Sequence, residues 1–152
     1  MTVYLVRHAK AGSRRNWSGD DALRPLSRPG RRQVSDLTTA LGHLGVTRIV
    51  SSPYTRCVQT VEPLAGAIGL TVDVSDALSE GAPATEAVAL FEKLARENAV
   101  LCSHGDVLGE LLMWFADHGL RLDDFRLEKG SVWVVECEHG RAVSAQYVSP
   151  VA

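Results

Sequence analysis

Two histidines, two arginines and one glutamate of this 152-residue chain have side chains suited to handling a phosphate group. The neutral imidazole of His8 is a nucleophile that attacks phosphorus without an additional base. Arg7 and Arg56 carry planar guanidinium groups, each of which grips two phosphate oxygens at once. His104 stands in a Ser-His-Gly turn before a helix, where an imidazole can bind a phosphoryl oxygen. Glu80, in a loop, is a candidate for protonating a leaving group and then activating water.

The surrounding sequence predicts strands and helices that bring these side chains together. Short apolar runs at residues 2–6, 47–50, 70–74 and 99–102 are typical of strands, and a helical spacing of apolar residues follows each of them. A terminal hairpin is predicted after the last helix. The order predicts an α/β fold, a three-layer sandwich with a mainly parallel central sheet and an antiparallel C-terminal hairpin. In such sheets the binding and catalytic residues lie at the carboxyl ends of the strands.

Single residues predict where the helices begin and end. Ser27 is expected to cap the first helix, whose apolar positions run to Leu44, and Gly45 is expected to end it. Pro63 falls inside the second helix, where its ring is an awkward fit. Thr85 is expected to cap the third helix.

Length and composition indicate one globular domain over residues 1–152. Hydrophobic residues make up 45% and charged residues 22% of the chain, which is ordinary for a folded domain. The sequence has no apolar run near the ~18 residues that a membrane span needs. It also lacks a basic leader before its first apolar stretch, which argues against a signal peptide. We therefore expect a cytoplasmic protein without membrane contact.

The charge of the chain is unevenly distributed. Residues 1–32 carry eight basic and two acidic side chains, a net charge of +6, and the remainder carries eight basic and sixteen acidic ones, a net charge of −8. A cationic first fifth on a mildly acidic protein indicates a local anion site. A sequence pI of about 6.2 and the lack of interleaved aromatic residues argue against nucleic-acid binding.

The cysteine pattern excludes two further classes. Cys57, Cys102 and Cys137 are odd in number and form no C-x-x-C pair, so neither a zinc site nor a disulfide framework is expected. None of them begins the C-x₅-R pattern of a cysteine phosphatase. Each lies in an apolar segment and is expected to be a small buried side chain.

Other cofactor and metal motifs are absent from the sequence. It contains no P-loop, no G-x-G-x-x-G and no G-x-S-x-G. Asp20-Asp21 and Asp123-Asp124 are adjacent pairs whose side chains diverge, so they are poor magnesium ligands. We expect no metal and no cofactor.

Three motifs together resemble the histidine phosphatase superfamily, which includes the cofactor-dependent phosphoglycerate mutases. They are L-V-R-H-A at 5–9, S-S-P-x-x-R-C-x-Q-T at 51–60 and S-H-G-D at 103–106. The short length, the H-A-K-A-G opening and the R-P-L-S-x-x-G at 24–30 are most similar to the small SixA-type phosphohistidine phosphatases. The segments 18–26 and 129–134 are also similar to the phosphatase-like half of actinobacterial Nudix proteins.

The resemblance implies a role for each residue that carries it. His8 would be the nucleophile and become transiently phosphorylated, while Arg7, Arg56 and His104 would surround the phosphoryl group. Glu80 would match the acid/base of the phosphoglycerate mutase-like members. The SixA-type enzymes lack an obvious acid there, so this glutamate hints at an oxygen leaving group.

Three more residues are candidates for binding the substrate, namely Arg24, Gly105 and Ser13. Arg24 falls in the substrate loop of the family, where it either contacts phosphate or holds the loop.

The expected function is a metal-independent phosphatase that acts through a phosphohistidine intermediate. The favoured substrate is a phosphohistidine in a protein, because only about ten residues separate the third strand from the next helix and leave the site open. The alternatives are a phosphatase of nucleotides or other small phosphorylated metabolites and a non-catalytic module that recognises phosphate. The expected state is a monomer or a weak homo-oligomer.

Overall fold

The computed structural model describes residues 1–150 and contains a six-stranded sheet with four α-helices. The strands are β1 (Thr2–Arg7), β2 (Arg48–Ser51), β3 (Val72–Val74), β4 (Ala99–Ser103), β5 (Val132–Glu138) and β6 (Arg141–Val148). The helices are α1 (Arg28–Leu41), α2 (Thr55–Ile68), α3 (Ala84–Leu94) and α4 (Gly105–Asp117). Single 3₁₀ turns at Asp21–Leu23 and Asp76–Leu78 lie in the loops that follow β1 and β3.

The strand order is β3-β2-β4-β1-β5-β6, which confirms the predicted α/β class. The first four strands of the chain pair in parallel, and β5 runs antiparallel to both β1 and β6. Strands β1 and β4 lie in the middle of the sheet, and every residue of β4 is buried. Continuous burial of this kind is expected of parallel strands, because helices cover both faces of the sheet.

The helices form one layer on each face of the sheet. Helices α1 and α2 pack together on one face, where Leu41 and Leu64 share a buried cluster with Val6. Helices α3 and α4 pack on the other face, where Phe91 belongs to the cluster that contains Leu5. Successive residues of a strand point to opposite faces, so β1 contributes to both clusters. The result is the three-layer sandwich predicted from the sequence.

The predicted start of α1 is confirmed and its predicted end is wrong. The Ser27 hydroxyl accepts a hydrogen bond from the Gly30 amide at 3.2 Å, which is the expected cap. The helix ends at Leu41, and Gly45 lies in the following turn with a positive φ of 70°. Leu44 is consequently 45% exposed and takes no part in the buried face of the helix.

The start of α3 also differs from its prediction. The helix begins at Ala84 with Pro83 at the cap position, so Thr85 lies inside the first turn and caps nothing. Proline is well suited to the start of a helix, since its fixed φ is compatible with that position and its lack of an N–H costs nothing there. Pro63 lies within α2, which continues to Ile68.

Two further features are the burial of the cysteines and the lengths of the helices. All three cysteines are free and buried, as the sequence indicated. The longest helices, α1 and α2, have 14 residues each, and across residues 1–150 no helix is long and apolar enough to cross a bilayer.

We predict that Gly30→Ala destabilises the protein although alanine is the better helix former. A Cβ at Gly30 would lie 1.9 Å from the carbonyl oxygen of Lys10, so the loop after β1 would have to move away from α1. We expect a loss of about 2 kcal/mol in the free energy of unfolding, as for other overpacked sites. The matched control is Gly66→Ala, an exposed position of α2 with nothing within 4 Å of the added carbon. It should raise stability by ~0.5–1 kcal/mol. Urea unfolding measures both, and equal effects of the two substitutions would contradict the close contact.

Candidate active site

The pairing of β1 with β4 brings two histidines to one edge of the sheet. Arg7 stands opposite Ser103 in the parallel register, and the His8 amide donates a hydrogen bond to the Ser103 carbonyl at 3.0 Å. His8 and His104 therefore lie at the same edge of the sheet, directly after β1 and β4, as the sequence predicted. Their rings meet edge to face with centroids 5.5 Å apart.

The neighbouring strand β2 fixes the orientation of the second histidine. The Ser52 amide donates to the Cys102 carbonyl at 2.9 Å, which places the Ser52 hydroxyl 2.9 Å from Nε2 of His104. That hydroxyl also accepts the Tyr54 amide at 3.2 Å, which holds it beside the ring. The other ring nitrogen, Nδ1, lies 4.0 Å from the Glu80 carboxylate.

The environment of His8 keeps its imidazole neutral and orients it. The ring is 5% exposed, and Nδ1 donates to the Ala9 carbonyl at 2.8 Å, which leaves the lone pair on Nε2. Burial lowers the pKa of His8 to about 3, aided by the positive charges of Arg56 and Arg7 and by the His104 ring. A histidine with this tautomer and protonation state is ready to act as a nucleophile.

Arg56 in the first turn of α2 is fully buried, although it is a cation at the positive end of a helix. Its Nη1 donates to the Asp21 carbonyl at 2.9 Å and its Nη2 to the Asp21 carboxylate at 3.1 Å. Nη2 also lies 3.4 Å from the Glu80 carboxylate, and the guanidinium carbon lies 5.0 Å from the centre of the Tyr54 ring. These contacts replace the hydration that the guanidinium loses.

Asp21 is a residue of this site that sequence reasoning missed. Besides Arg56, its carboxylate accepts from Nε of Arg24 at 2.9 Å and lies 3.5 Å from Nε of Arg14. Partial burial alone raises its pKa, but the hydrogen bond from Arg24 and the three guanidinium charges hold the pKa below its usual value. The three-residue spacing from Asp21 to Arg24 was the available signal, since residues at i and i+3 of a helical turn are neighbours.

Several buried polar atoms of the site lack a hydrogen-bond partner. Across residues 1–150, four buried side-chain nitrogen or oxygen atoms lack a hydrogen-bond partner, namely Arg7 Nε, Arg56 Nε, His104 Nδ1 and Ser131 Oγ. Three of the four belong to residues that the sequence selected as catalytic. An unpaired buried donor costs ~1–3 kcal/mol, so native proteins retain such groups mainly where a ligand or a reaction uses them.

Gly105 makes room for the guanidinium of Arg7. A Cβ at this position would lie 3.0 Å from the Arg7 guanidinium carbon. Nη1 of Arg7 donates to the Leu127 carbonyl, and its Nε is buried without a partner. The glycine of the Ser-His-Gly turn is therefore needed for the position of Arg7, and it also lines the cavity described below.

Glu80 is held in place from two sides. Its carboxylate accepts from Arg14 Nη2 at 3.3 Å, in addition to its contact with Arg56. The next amide, that of Gly81, donates to the Asp106 carboxylate at 2.8 Å. Asp106 is thus a second residue that sequence reasoning had given no role, although it stands in the S-H-G-D motif.

These groups surround an open cavity of about 670 Å³. Six of the eight predicted site residues line it, namely Arg7, His8, Arg24, Glu80, His104 and Gly105. The other two, Arg56 and Ser13, are not among the described residues that line the cavity; Arg56 is fully buried and Ser13 is exposed. Arg24 is 6% exposed and donates to Asp21 and to the Gly12 carbonyl, so its contacts hold the loop.

No grouping of three or more His, Cys, Asp or Glu side chains within residues 1–150 has the arrangement of a metal site. The charged groups that face the cavity are instead guanidiniums, carboxylates and an ammonium group.

The fold and the site together define a class of α/β proteins in which two histidines and two arginines meet at the carboxyl edge of a parallel sheet. The model of the histidine phosphatase superfamily (branch 1) matches residues 3–86, which is more than half of the chain. The protein belongs to the histidine phosphatase superfamily, which contains hydrolases that act on phosphate esters.

Known proteins extend this similarity to the whole chain. The 8-oxo-(d)GTP phosphatase of Mycolicibacterium smegmatis is 35% identical over 155 residues, which cover 98% of this chain and 48% of that protein. This chain therefore spans less than half the length of that curated relative. The tungstate complex of the protein histidine phosphatase SixA has the same fold, with a TM-score of 0.76 at 18% identity and coverage of 98% and 95% of the two chains. A Nakamurella multipartitia structure that bears the SixA name gives a TM-score of 0.73 at 25% identity, with coverage of 99% and 96%.

We predict that His8 makes folding stability depend on pH. Its folded pKa of about 3 lies below the ordinary value of ~6.5, so the unfolded chain binds the proton first as the pH falls. The stabilising contribution is present above about pH 6.5 and is lost as the pH falls towards 3. Between pH 7 and pH 5 wild type should lose roughly 2 kcal/mol more than His8→Gln. Urea unfolding at both pH values measures the difference, and parallel pH dependence of the two proteins would contradict a neutral buried His8.

Proposed function

We propose that residues 1–152 form a single histidine phosphatase domain that hydrolyses phosphorylated substrates without a metal, through a phosphohistidine intermediate on His8. The observation that carries this proposal is the set of three buried nitrogen atoms without a hydrogen-bond partner in residues that act on His8, namely Arg7 Nε, Arg56 Nε and His104 Nδ1. A phosphoryl group in transfer has three equatorial oxygens that carry its charge. With a proton on His104 Nδ1, these nitrogens supply one donor for each oxygen, a stabilisation that is organised before the substrate arrives.

The first step is the transfer of the phosphoryl group to His8. The lone pair on Nε2 forms a bond to phosphorus while the bond from phosphorus to the leaving atom breaks. The ring becomes positively charged as it is phosphorylated, and its Nδ1–H remains bonded to the Ala9 carbonyl, 2.8 Å away. That carbonyl stabilises the developing charge and keeps Nε2 directed at the phosphorus.

The second step returns His8 to its free form. Glu80 gives its proton to the leaving atom in the first step and then takes a proton from a water molecule, which attacks the phosphohistidine. The nitrogen–phosphorus bond breaks, orthophosphate is released and Nε2 regains its lone pair. The place of Glu80, 4.0 Å from His104 Nδ1, supports this role because it lies beside one of the three donors.

The substrate that we propose is a phosphohistidine in a protein. Only residues 75–83 lie between β3 and α3, and Glu80 stands in the middle of them. This short connection adds no wall over the cavity, so a phosphorylated side chain on a protein surface can reach His8. The shared fold with the SixA phosphatase structures supports the same substrate class.

A nucleotide or another small phosphorylated metabolite is the second candidate. The similarity to a protein named for 8-oxo-(d)GTP favours it. So does the cavity wall that carries Leu127 and the 49% exposed Phe125, because an exposed aromatic ring can stack on a base.

The first experiment measures phosphate release by wild type and His8→Ala from a substrate panel. The panel contains a phosphohistidine protein, nucleoside di- and triphosphates, 3-phosphoglycerate and p-nitrophenyl phosphate. Removal of the nucleophile should lower release from the preferred substrate by at least about 10³-fold. His43→Ala is the matched control, because this histidine is exposed in the turn after α1 and should leave the rate unchanged.

The result also chooses between the candidate functions. Preference for the phosphohistidine protein supports the first candidate, and preference for a nucleotide supports the second. Folded wild-type protein that releases phosphate from none of them, yet binds orthophosphate, would overturn the enzymatic proposal in favour of a phosphate-recognising module.

We predict that phosphate release persists in excess EDTA. Arginine and histidine donors neutralise the charge of the transferred group in this mechanism, and no step calls for a metal ion. The rate with EDTA should therefore equal the rate after dialysis into metal-free buffer. A rate that falls on chelation and recovers on addition of Mg²⁺ or Zn²⁺ would contradict the proposed mechanism.

A further inference from the structure

Lys129 is a cation that lines the cavity and has no role in the proposed mechanism. It lines the same cavity as His8 but stands more than twenty residues beyond the last catalytic motif. Partial burial lowers its pKa, as do the charges of Arg7, Arg24, Arg14 and Arg56. The three unpaired donors already match the three oxygens of one phosphoryl group, so a further ammonium group exceeds what that group needs.

The backbone of Lys129 is held firmly beside the nucleophile. The next amide, that of Gly130, donates to the carbonyls of His8 at 3.0 Å and Arg7 at 3.2 Å. On the other side, the Gln33 side chain donates to the Lys129 carbonyl at 3.0 Å. A Cβ at Gly130 would meet the Gln33 amide at 2.9 Å, so this glycine with its φ of +84° permits the close packing.

Gln33 also brings a second lysine to the same place. Its Oε1 accepts the Lys10 amide at 2.9 Å, while its Nε2 holds Lys129. Lys10, Arg32 and Lys129 line a neighbouring cavity of about 670 Å³, so Lys129 belongs to the walls of both cavities.

The charges of this neighbouring cavity are mostly unpaired. None of Lys10, Arg32 and Lys129 forms a salt bridge with a residue of the described chain, residues 1–150. The cavity also has two acidic residues, of which Glu128 is already paired with Arg126 at 2.6 Å and Asp36 lies on α1. Three cations therefore face two carboxylates, one of which is neutralised.

We propose that Lys129, with Lys10 and Arg32 behind it, forms a second anion subsite that binds another negative group of the substrate beside the transferred phosphoryl. This inference rests on the proposed function, since it assumes that the phosphoryl group itself is bound at His8. The chemistry of the group is an oxyanion near the transferred phosphorus. A neighbouring phosphate of a nucleotide and a carboxylate close to a phosphohistidine both supply it.

The kinetic test compares substrates with and without the second charge. Lys129→Ala should lower kcat/KM about tenfold for ADP or for a phosphohistidine peptide with an adjacent glutamate, as expected for the loss of a charged hydrogen bond. It should change kcat/KM for p-nitrophenyl phosphate less than twofold. Lys129→Arg keeps the charge and should retain most of the rate. Arg28→Ala removes an exposed cation that lines neither cavity. It should leave kcat/KM unchanged for every substrate.

The arms of this test distinguish the two sources of the anion. An effect confined to ADP assigns the subsite to a phosphate, and an effect confined to the acidic peptide, against the same peptide with alanine, assigns it to a carboxylate. Equal losses for all substrates, p-nitrophenyl phosphate included, would overturn the subsite and make Lys129 part of the phosphoryl site.

A binding measurement separates this proposal from the proposed function. Calorimetry with wild type and Lys129→Ala uses orthophosphate and methylenediphosphonate, a diphosphate analogue whose P–C–P link is not hydrolysed. The substitution should weaken the binding of methylenediphosphonate about tenfold and leave the affinity for orthophosphate unchanged. That result would support the subsite even if no substrate were turned over, whereas normal turnover with unchanged methylenediphosphonate affinity would overturn the subsite alone.

Discussion

The burial of the Arg56 guanidinium is the constraint around which the site is built. Moving a cation out of water costs several kcal/mol unless partners replace its hydration. The protein supplies the carbonyl and carboxylate of Asp21, the carboxylate of Glu80 and the ring of Tyr54. These partners come from the loop after β1, the loop after β3 and the turn before α2. The loops therefore fold around one buried charge, and the cavity takes its shape from them.

Positive charges of the site act on His8 both before and after the proposed transfer. Arg7 and Arg56 oppose protonation of His8, and the loss of water around the ring adds to that effect. In the proposed reaction the phosphorylated ring is itself cationic, but the incoming phosphoryl group brings negative charge that offsets the repulsion. The electrostatic field therefore favours neutral His8 before the transfer and the phosphorylated form after it.

The sequence predicted the features that depend on residues close together along the chain. It missed contacts between segments that are far apart in the chain. The succession of strands and helices and the place of His8 follow from apolar periodicity and from strand ends, both of which are visible along the chain. Thr85 was misassigned because the proline two residues earlier is also a good start for a helix. The role of Asp21 depends on Arg56, 35 residues away. Lys129 reaches the site only because the antiparallel pairing of β5 with β1 brings its loop back to His8.

The short connection between β3 and α3 gives this fold a simple route to new substrates during evolution. Glu80 is fixed by its ion pairs, and the Gly81 amide is fixed by the Asp106 carboxylate. Residues 82 and 83 follow before α3 begins and are the part of the segment that lies beyond these anchors. An insertion there would add a wall over the cavity while Glu80 kept its place. The chemistry and the choice of substrate can thus change independently, because one short stretch of chain separates them.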